Sequence, residues 1–222
     1  MKDTLETIYG LLSAHYGPTH WWPGDTPFEI AVGAVLTQNA AWRNVEQAIE
    51  NLKRGKLLRP RAILACPDGK LEEALRPSGY FRVKAKRLRS FCTYLVRRYQ
   101  GSMAGMARRP LEQLRPELLK VNGIGPETAD DILLYACEKP VFVVDAYTRR
   151  ILERHGLPVA GMGYEELRAL FETALAPDVA MFKEYHGLIV YAGKDFCRRK
   201  PHCEGCPLAT LPVEDGPVLE TP

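Results

Sequence analysis

The sequence contains no run near the ~20 consecutive apolar residues that a membrane-spanning helix requires. Its opening residues, MKDTLETIYGLL, show neither the basic start nor the long apolar run of a secretion signal. Both absences predict a cytoplasmic protein, in which thiols stay reduced and the six cysteines need a reason other than disulfides. No repeat at solenoid periods is present, and no low-complexity segment precedes residue 207. Strand-like runs are missing except for Val141-Phe142-Val143-Val144, which is too short for a sheet and reads as a buried extended connector. A large net charge is also absent, since the formal value of +3 does not by itself imply a nucleic-acid partner. Acidic residues are, however, wholly missing between Arg82 and Arg109, where nine Lys or Arg residues stand. A phosphate backbone rewards such a one-signed segment through counterion release. The alternative is a solvated helix face.

What is present is helical. Apolar periodicity predicts helices over 3–15, from the capping box Thr26-Pro27-Phe28-Glu29 through Leu36, and near 43–53, 58–65, 69–75, 83–99 and 110–120. Further helices are predicted over 146–155, 163–175 and 178–192. The expected fold class is all-α, as two helical lobes with a groove between them. Residues 1–25 and 105–206 are expected to form one discontinuous lobe with a C-terminal Cys loop. Residues 26–104 form a central lobe running into a helix-hairpin-helix at 115–137, and the Pro-rich, acidic residues 207–222 read as a loosely ordered tail.

The segment Leu118-Leu119-Lys120-Val121-Asn122-Gly123-Ile124-Gly125-Pro126-Glu127-Thr128-Ala129-Asp130 reads as helix, glycine hairpin, helix. Gly123 and Gly125 allow backbone geometry that a Cβ would obstruct, and Pro126 opens a helix whose free amides suit a phosphate. Gly123, Gly125 and Thr128 are therefore the hairpin's candidate DNA contacts, with Lys84 and Lys86 those of the basic segment. An ordinary helix–helix turn is the alternative. Asp145 follows the apolar Val143-Val144 and opens the next helix, so it is either an N-cap or a carboxylate displayed for chemistry. A negative charge there would stabilise an oxocarbenium-like sugar and orient a water. The two readings are compatible.

Gly123-Ile124-Gly125 followed by Val143-Val144-Asp145 resembles the helix-hairpin-helix DNA glycosylases, the superfamily of endonuclease III. Further stretches resemble its bacterial 3-methyladenine DNA glycosylase III branch. These are Trp21-Trp22-Pro23, Gly33-Ala34-Val35-Leu36-Thr37-Gln38-Asn39, Arg76-Pro77-Ser78-Gly79-Tyr80-Phe81 with Lys84-Ala85-Lys86-Arg87-Leu88, and Tyr185-His186-Gly187. The resemblance implies that the groove binds duplex DNA holding a damaged base, and that Asp145 is the essential carboxylate. It implies that Gln38 fills the gap left by a flipped nucleotide, with Tyr80 as a second wedge. Trp22 and Trp42 match the base-stacking positions, with Trp21 and Pro23 adjacent, and an electron-rich indole attracts a cationic methylated adenine. The alternative for each tryptophan is core packing. Glu127 stands where bifunctional relatives carry a Schiff-base lysine, and an acid cannot form an imine. Leu188 replaces a pocket lysine that some members of the branch carry after the His-Gly pair.

Cys197, Cys203 and Cys206 resemble the iron–sulfur loop of endonuclease III, whose pattern has a fourth cysteine. Counting onward at that spacing reaches Pro212 instead. A 4Fe–4S cluster on an incomplete set, a zinc ion, or no metal are the three outcomes, with His202, Glu214 or Asp215 as substitute ligands. The expected function is a monofunctional glycosylase hydrolysing the N-glycosidic bond of alkylated purines such as 3-methyladenine, acting as a monomer without a membrane. The alternatives are an endonuclease III-like glycosylase and lyase on oxidised pyrimidines, or a helix-hairpin-helix protein that binds DNA without cutting.

Overall fold

The computed structural model describes residues 1–211. The described residues form helices and turns without a strand, so the all-α expectation holds. In chain order the α-helices are α1 (Lys2–Tyr16), α2 (Pro27–Thr37), α3 (Trp42–Arg54), α4 (Pro60–Ala65), α5 (Asp68–Leu75) and α6 (Phe81–Tyr99). They continue as α7 (Met103–Ala107), α8 (Leu111–Leu119), α9 (Pro126–Asp131), α10 (Ala146–Arg154), α11 (Tyr164–Ala174) and α12 (Val179–Asp195). Only α7 lacks a sequence counterpart, because five residues are too few to display a period. The tail expected over 207–222 lies outside the described residues from 212 on.

The chain divides into two units, one of Met1–Trp21 with the chain from Pro140 onward, the other Trp22–Lys139. These boundaries differ from the expected 25/26 and 104/105. Residues 105–139 stay with the central unit because α7 packs on α6 and α8 packs on α9.

In the discontinuous unit, α1 buries Leu5, Ile8 and Leu12, one stripe at helical spacing, and packs on α11 and α12. The Tyr185 hydroxyl of α12 donates to the Leu5 carbonyl at 2.8 Å. Val141 to Val144 are buried and lie outside any helix, as expected of a buried connector. Buried backbone outside regular structure needs partners. The Phe142 amide finds one in Glu172 Oε1 at 2.9 Å, and the Phe142 ring stacks on Phe171 with centroids 3.9 Å apart.

The central unit is built around α2. Thr26 caps it by accepting from the Glu29 amide at 3.2 Å, and Pro27 occupies the first helical position. The almost wholly apolar α2 then buries Phe28 and every residue from Ala31 to Leu36. It packs on α3 and on a π-helical turn, Ile132–Ala136, that continues α9.

Candidate active site

Asp145 is the N-cap of α10, and its position follows from the segments on either side of it. The apolar connector fixes the chain before it, and its own side chain fixes the chain after it. Oδ1 accepts from the Thr148 amide at 2.7 Å and from the Thr148 hydroxyl at 2.9 Å. Oδ2 stands 3.7 Å from His186 Nε2, and the carboxylate keeps 13% of its surface exposed. Burial alone would push the Asp145 carboxyl up; His186 and the two Thr148 donors outweigh it and hold the group below the usual aspartate range. Capping and charge display thus occupy different oxygens of one carboxylate.

His186 reaches Asp145 because of its neighbours. Tyr185 is fully buried against Tyr9, Phe142 and Phe171, which sets the rotation of α12. Gly187 lies under the chain at Thr19 and Trp21, where a Cβ would meet Trp21 Cβ at 2.6 Å. The Tyr-His-Gly stretch therefore comprises a core anchor, a partner of the carboxylate and a crossing point. Leu188 is fully buried in the same unit.

The two tandem tryptophans separate. Trp21 belongs to the discontinuous unit, edge-on to Tyr191 at 6.1 Å and with Lys194 Nζ 5.1 Å from its ring centroid. Trp22 belongs to the central unit. Its ring meets Trp42 at 5.2 Å, nearly perpendicular, and Tyr135 at 5.3 Å. The set needs Gly33 of α2 beside it, where a Cβ would stand 3.2 Å from Trp22 Nε1 and 3.6 Å from Trp42 Cη2. Trp42 is oriented by Glu46, which accepts from its Nε1 at 2.7 Å. Trp22 and Trp42 are thus brought together within the central unit, and Pro23 is exposed. Tyr135 was missed. Inside Ile132-Leu133-Leu134-Tyr135-Ala136 it reads as core, and only the π turn reveals its approach to Trp22.

A second cluster forms around the hairpin. Gly123 has φ 86°, and a Cβ there would lie 2.1 Å from Arg87 Cγ, so glycine is required twice over. At Gly125 a Cβ would meet nothing within 4 Å. The expectation that a Cβ would obstruct the backbone at both glycines is corrected to Gly123 alone, since Gly125 has φ −87° and open space around it. Gly125 is exposed at the start of α9, and Glu127 is exposed in the first turn. The Gln38 amide donates to the Gly123 carbonyl at 3.1 Å and to Thr128 Oγ1 at 2.8 Å, while Arg87 donates to Gln38 Oε1. Thr128 is 5% exposed and spends its hydroxyl on Gln38, so its role as a direct DNA contact is corrected to support of that glutamine.

Tyr80 stands at the tip before α6, 74% exposed and left-handed at φ 45°. A bulky residue held there is strained and displayed. Lys86 is exposed, as a phosphate contact must be. Lys84 is not: it is 1% exposed with its Nζ on two backbone carbonyls, which corrects its assignment as a DNA contact. The alternating exposure follows from a helix start that turns its fourth residue inward.

The cysteine loop is held by α10. Arg154 donates to Cys197 Sγ at 3.3 Å and to the Arg198 and Arg199 carbonyls at 2.6 and 3.0 Å, and Arg150 donates to the Cys197 carbonyl at 2.6 Å. Burial, with the neighbouring Cys203 and Cys197 adding to it, raises the Cys206 thiol. Among the described residues, however, no three His, Cys, Asp or Glu side chains are grouped to hold a metal ion. His202 and Cys203 are exposed, and Glu214 and Asp215 lie outside the described residues. Among the described residues the loop is anchored by arginines, and Cys197, Cys203 and Cys206 supply three thiols, one fewer than a four-thiolate cluster takes.

Comparison with known proteins gives the family setting. The family model described as the HhH-GPD superfamily of base excision DNA repair proteins matches residues 32–177. A candidate DNA repair glycosylase of Methanocaldococcus jannaschii is 46% identical over 208 residues, 93% of this chain and 94% of its own. The crystal structure of the H. pylori 3-methyladenine DNA glycosylase bound to 1,N6-ethenoadenine has a TM-score of 0.71 and 32% identity, and covers 86% of this chain and 97% of its own. A trapped endonuclease III–DNA covalent intermediate shares the fold, with a TM-score of 0.81, 23% identity and 95% of each chain covered. No described helix is long and apolar enough to cross a membrane.

Proposed function

Because this chain belongs to the HhH-GPD superfamily of base excision repair DNA glycosylases, we propose that it releases alkylated purines, 3-methyladenine first, from duplex DNA by hydrolysis. The observation that carries the reading is Asp145, a carboxylate held ionised by Thr148 and His186. As the C1′–N bond breaks, its electron pair leaves with the base and positive charge develops on the sugar. Asp145 stabilises that charge, and water adds to C1′ with its proton passing to the carboxylate or to solvent. The products are free base and an abasic site.

Substrate class rests on Trp22, Trp42 and Tyr135. A base cationic before cleavage is attracted to indole faces by roughly 1–2 kcal/mol more than a neutral one. Such a base leaves without protonation, which suits a site whose carboxylate is ionised. The likeness to the H. pylori glycosylase supports the same substrate class. Glu127 supports a monofunctional reaction, since it supplies no amine to attack C1′.

Incubation of dimethyl sulfate-methylated duplex with the protein should release 3-methyladenine and leave sites cut only after added alkali. Borohydride should trap no covalent adduct. An adduct would instead establish the endonuclease III-like lyase, the reading that the shared fold keeps as second.

A further inference from the structure

Lys84 is the fourth residue of the most basic helix, yet it is 1% exposed. Its ammonium donates to the Leu36 carbonyl at 2.8 Å and to the Ser78 carbonyl at 2.6 Å. Burial, with Arg87 adding its charge, lowers it to about 8. Desolvating an amine is costly, so an apolar residue would be the cheaper filling for this space. It would leave two buried carbonyls without a donor.

The identity of those carbonyls carries the inference. Leu36 lies in the last turn of α2, two residues before Gln38. Ser78 ends the short 3-10 turn, two residues before Tyr80. The Lys84 amide also donates to the Tyr80 carbonyl at 3.0 Å. One side chain therefore ties together the backbones that carry the two candidate wedges. One helical turn further along α6, Arg87 holds the Gln38 side chain itself.

We infer that Lys84 is a positioning residue that locks the Gln38 and Tyr80 loops into one platform, so that both side chains enter the duplex together when a nucleotide is extruded. The inference rests on the glycosylase reading above. A residue acting this way matters for a stacked base and hardly at all for one already outside a helix.

The test compares Lys84→Met with wild type on dimethyl sulfate-methylated duplex and on the same DNA as separated single strands. Lys84→Met should lose at least ten times more base release on duplex than on single strands. A duplex with an abasic-site analogue beside 2-aminopurine should show reduced unstacking fluorescence on binding the variant. In the Tyr80→Ala background, Lys84→Met should cost markedly less on duplex than it does alone, because the two act through one loop. Equal losses on both substrates, or full additivity with Tyr80→Ala, would overturn the inference. Should Lys84→Met not fold, hydrogen exchange of the wild type decides. Residues 37–39 and 79–81 should open as one unit with a common denaturant dependence, and independent opening refutes the platform. Absence of base release by the wild type on either substrate would count against the glycosylase reading, while the 2-aminopurine signal still judges Lys84.

Discussion

Asp145 caps α10 and, in the proposed reaction, also stabilises charge on the sugar, and the two duties can be separated. Asp145→Asn keeps an oxygen for the Thr148 amide but removes the charge. Base release should fall on the order of 10²–10³-fold, the usual worth of one stabilising group, with affinity for undamaged duplex little changed. A variant retaining wild-type rates would remove the carboxylate from the mechanism. The direction of its pKa fixes a pH expectation. A carboxyl depressed in the folded state contributes stability above its unfolded value of ~3.9 and loses it as pH falls through the folded value. Between pH 5 and 8, therefore, neither stability nor rate should track Asp145, and any acid limb there belongs to another group. Among the tryptophans, Trp22→Ala should lower preference for 3-methyladenine over a neutral damaged base by roughly 5–30-fold, following the ~1–2 kcal/mol of a desolvated cation–π contact. Competition assays on mixed substrates measure it. The capping role of Asp145 was legible in the sequence because an acid between an apolar run and a helix start is the usual N-cap pattern. His186 was not, because its partner lies 41 positions upstream, and only the packing of Tyr185 and Gly187 turns it that way.

The hairpin is stable as an element because its two helices are tied behind it. Arg115 of α8 donates from Nε to Asp130 Oδ1 at 2.7 Å and from a terminal nitrogen to Oδ2 at 3.0 Å, with Asp130 wholly buried in α9. Breaking a buried ion pair by removing one partner costs about 3–5 kcal/mol. Asp130→Asn should destabilise by about that amount in denaturant unfolding, and adding Arg115→Met should cost less than the sum. The glycine pattern made the hairpin visible, whereas this pair, 15 residues apart across it, was hidden in ordinary helix composition. The cysteine loop shows the opposite limit. Its spacing suggested ligands, while the contacts that hold it come from Arg150 and Arg154, which sequence distance disguised. Helix bounds were readable to within a few residues because caps and periodicity are local. The π turn at Ile132–Ala136 was not, since nothing in five residues that are apolar but for Tyr135 specifies an extra backbone atom ring.

At the scale of the whole molecule, a small net charge leaves nucleic-acid binding to local placement. Basic residues in one segment divide into exposed and internal, and salt dependence should distinguish them. Lys86→Ala should reduce the slope of log affinity for undamaged duplex against log salt by about 1, as expected for one lost phosphate contact. A slope unchanged within error would remove Lys86 from the footprint. Which side chains divide this way was beyond the sequence, because Lys84 and Lys86 stand two positions apart in a helix and only the packing around Ser78 and Leu36 distinguishes them.

The chain leaves the discontinuous unit at Trp21 and returns to it at Pro140. The Tyr185 hydroxyl that seats on Leu5 is 180 residues later than its acceptor. At roughly 5–20 residues per second of synthesis, α1 emerges from the ribosome on the order of ten seconds or more before α12 exists. Until α11 and then α12 are made, the Leu5, Ile8 and Leu12 stripe lacks the native surfaces that cover it. Until then those three side chains depend on transient, non-native contacts to stay out of water.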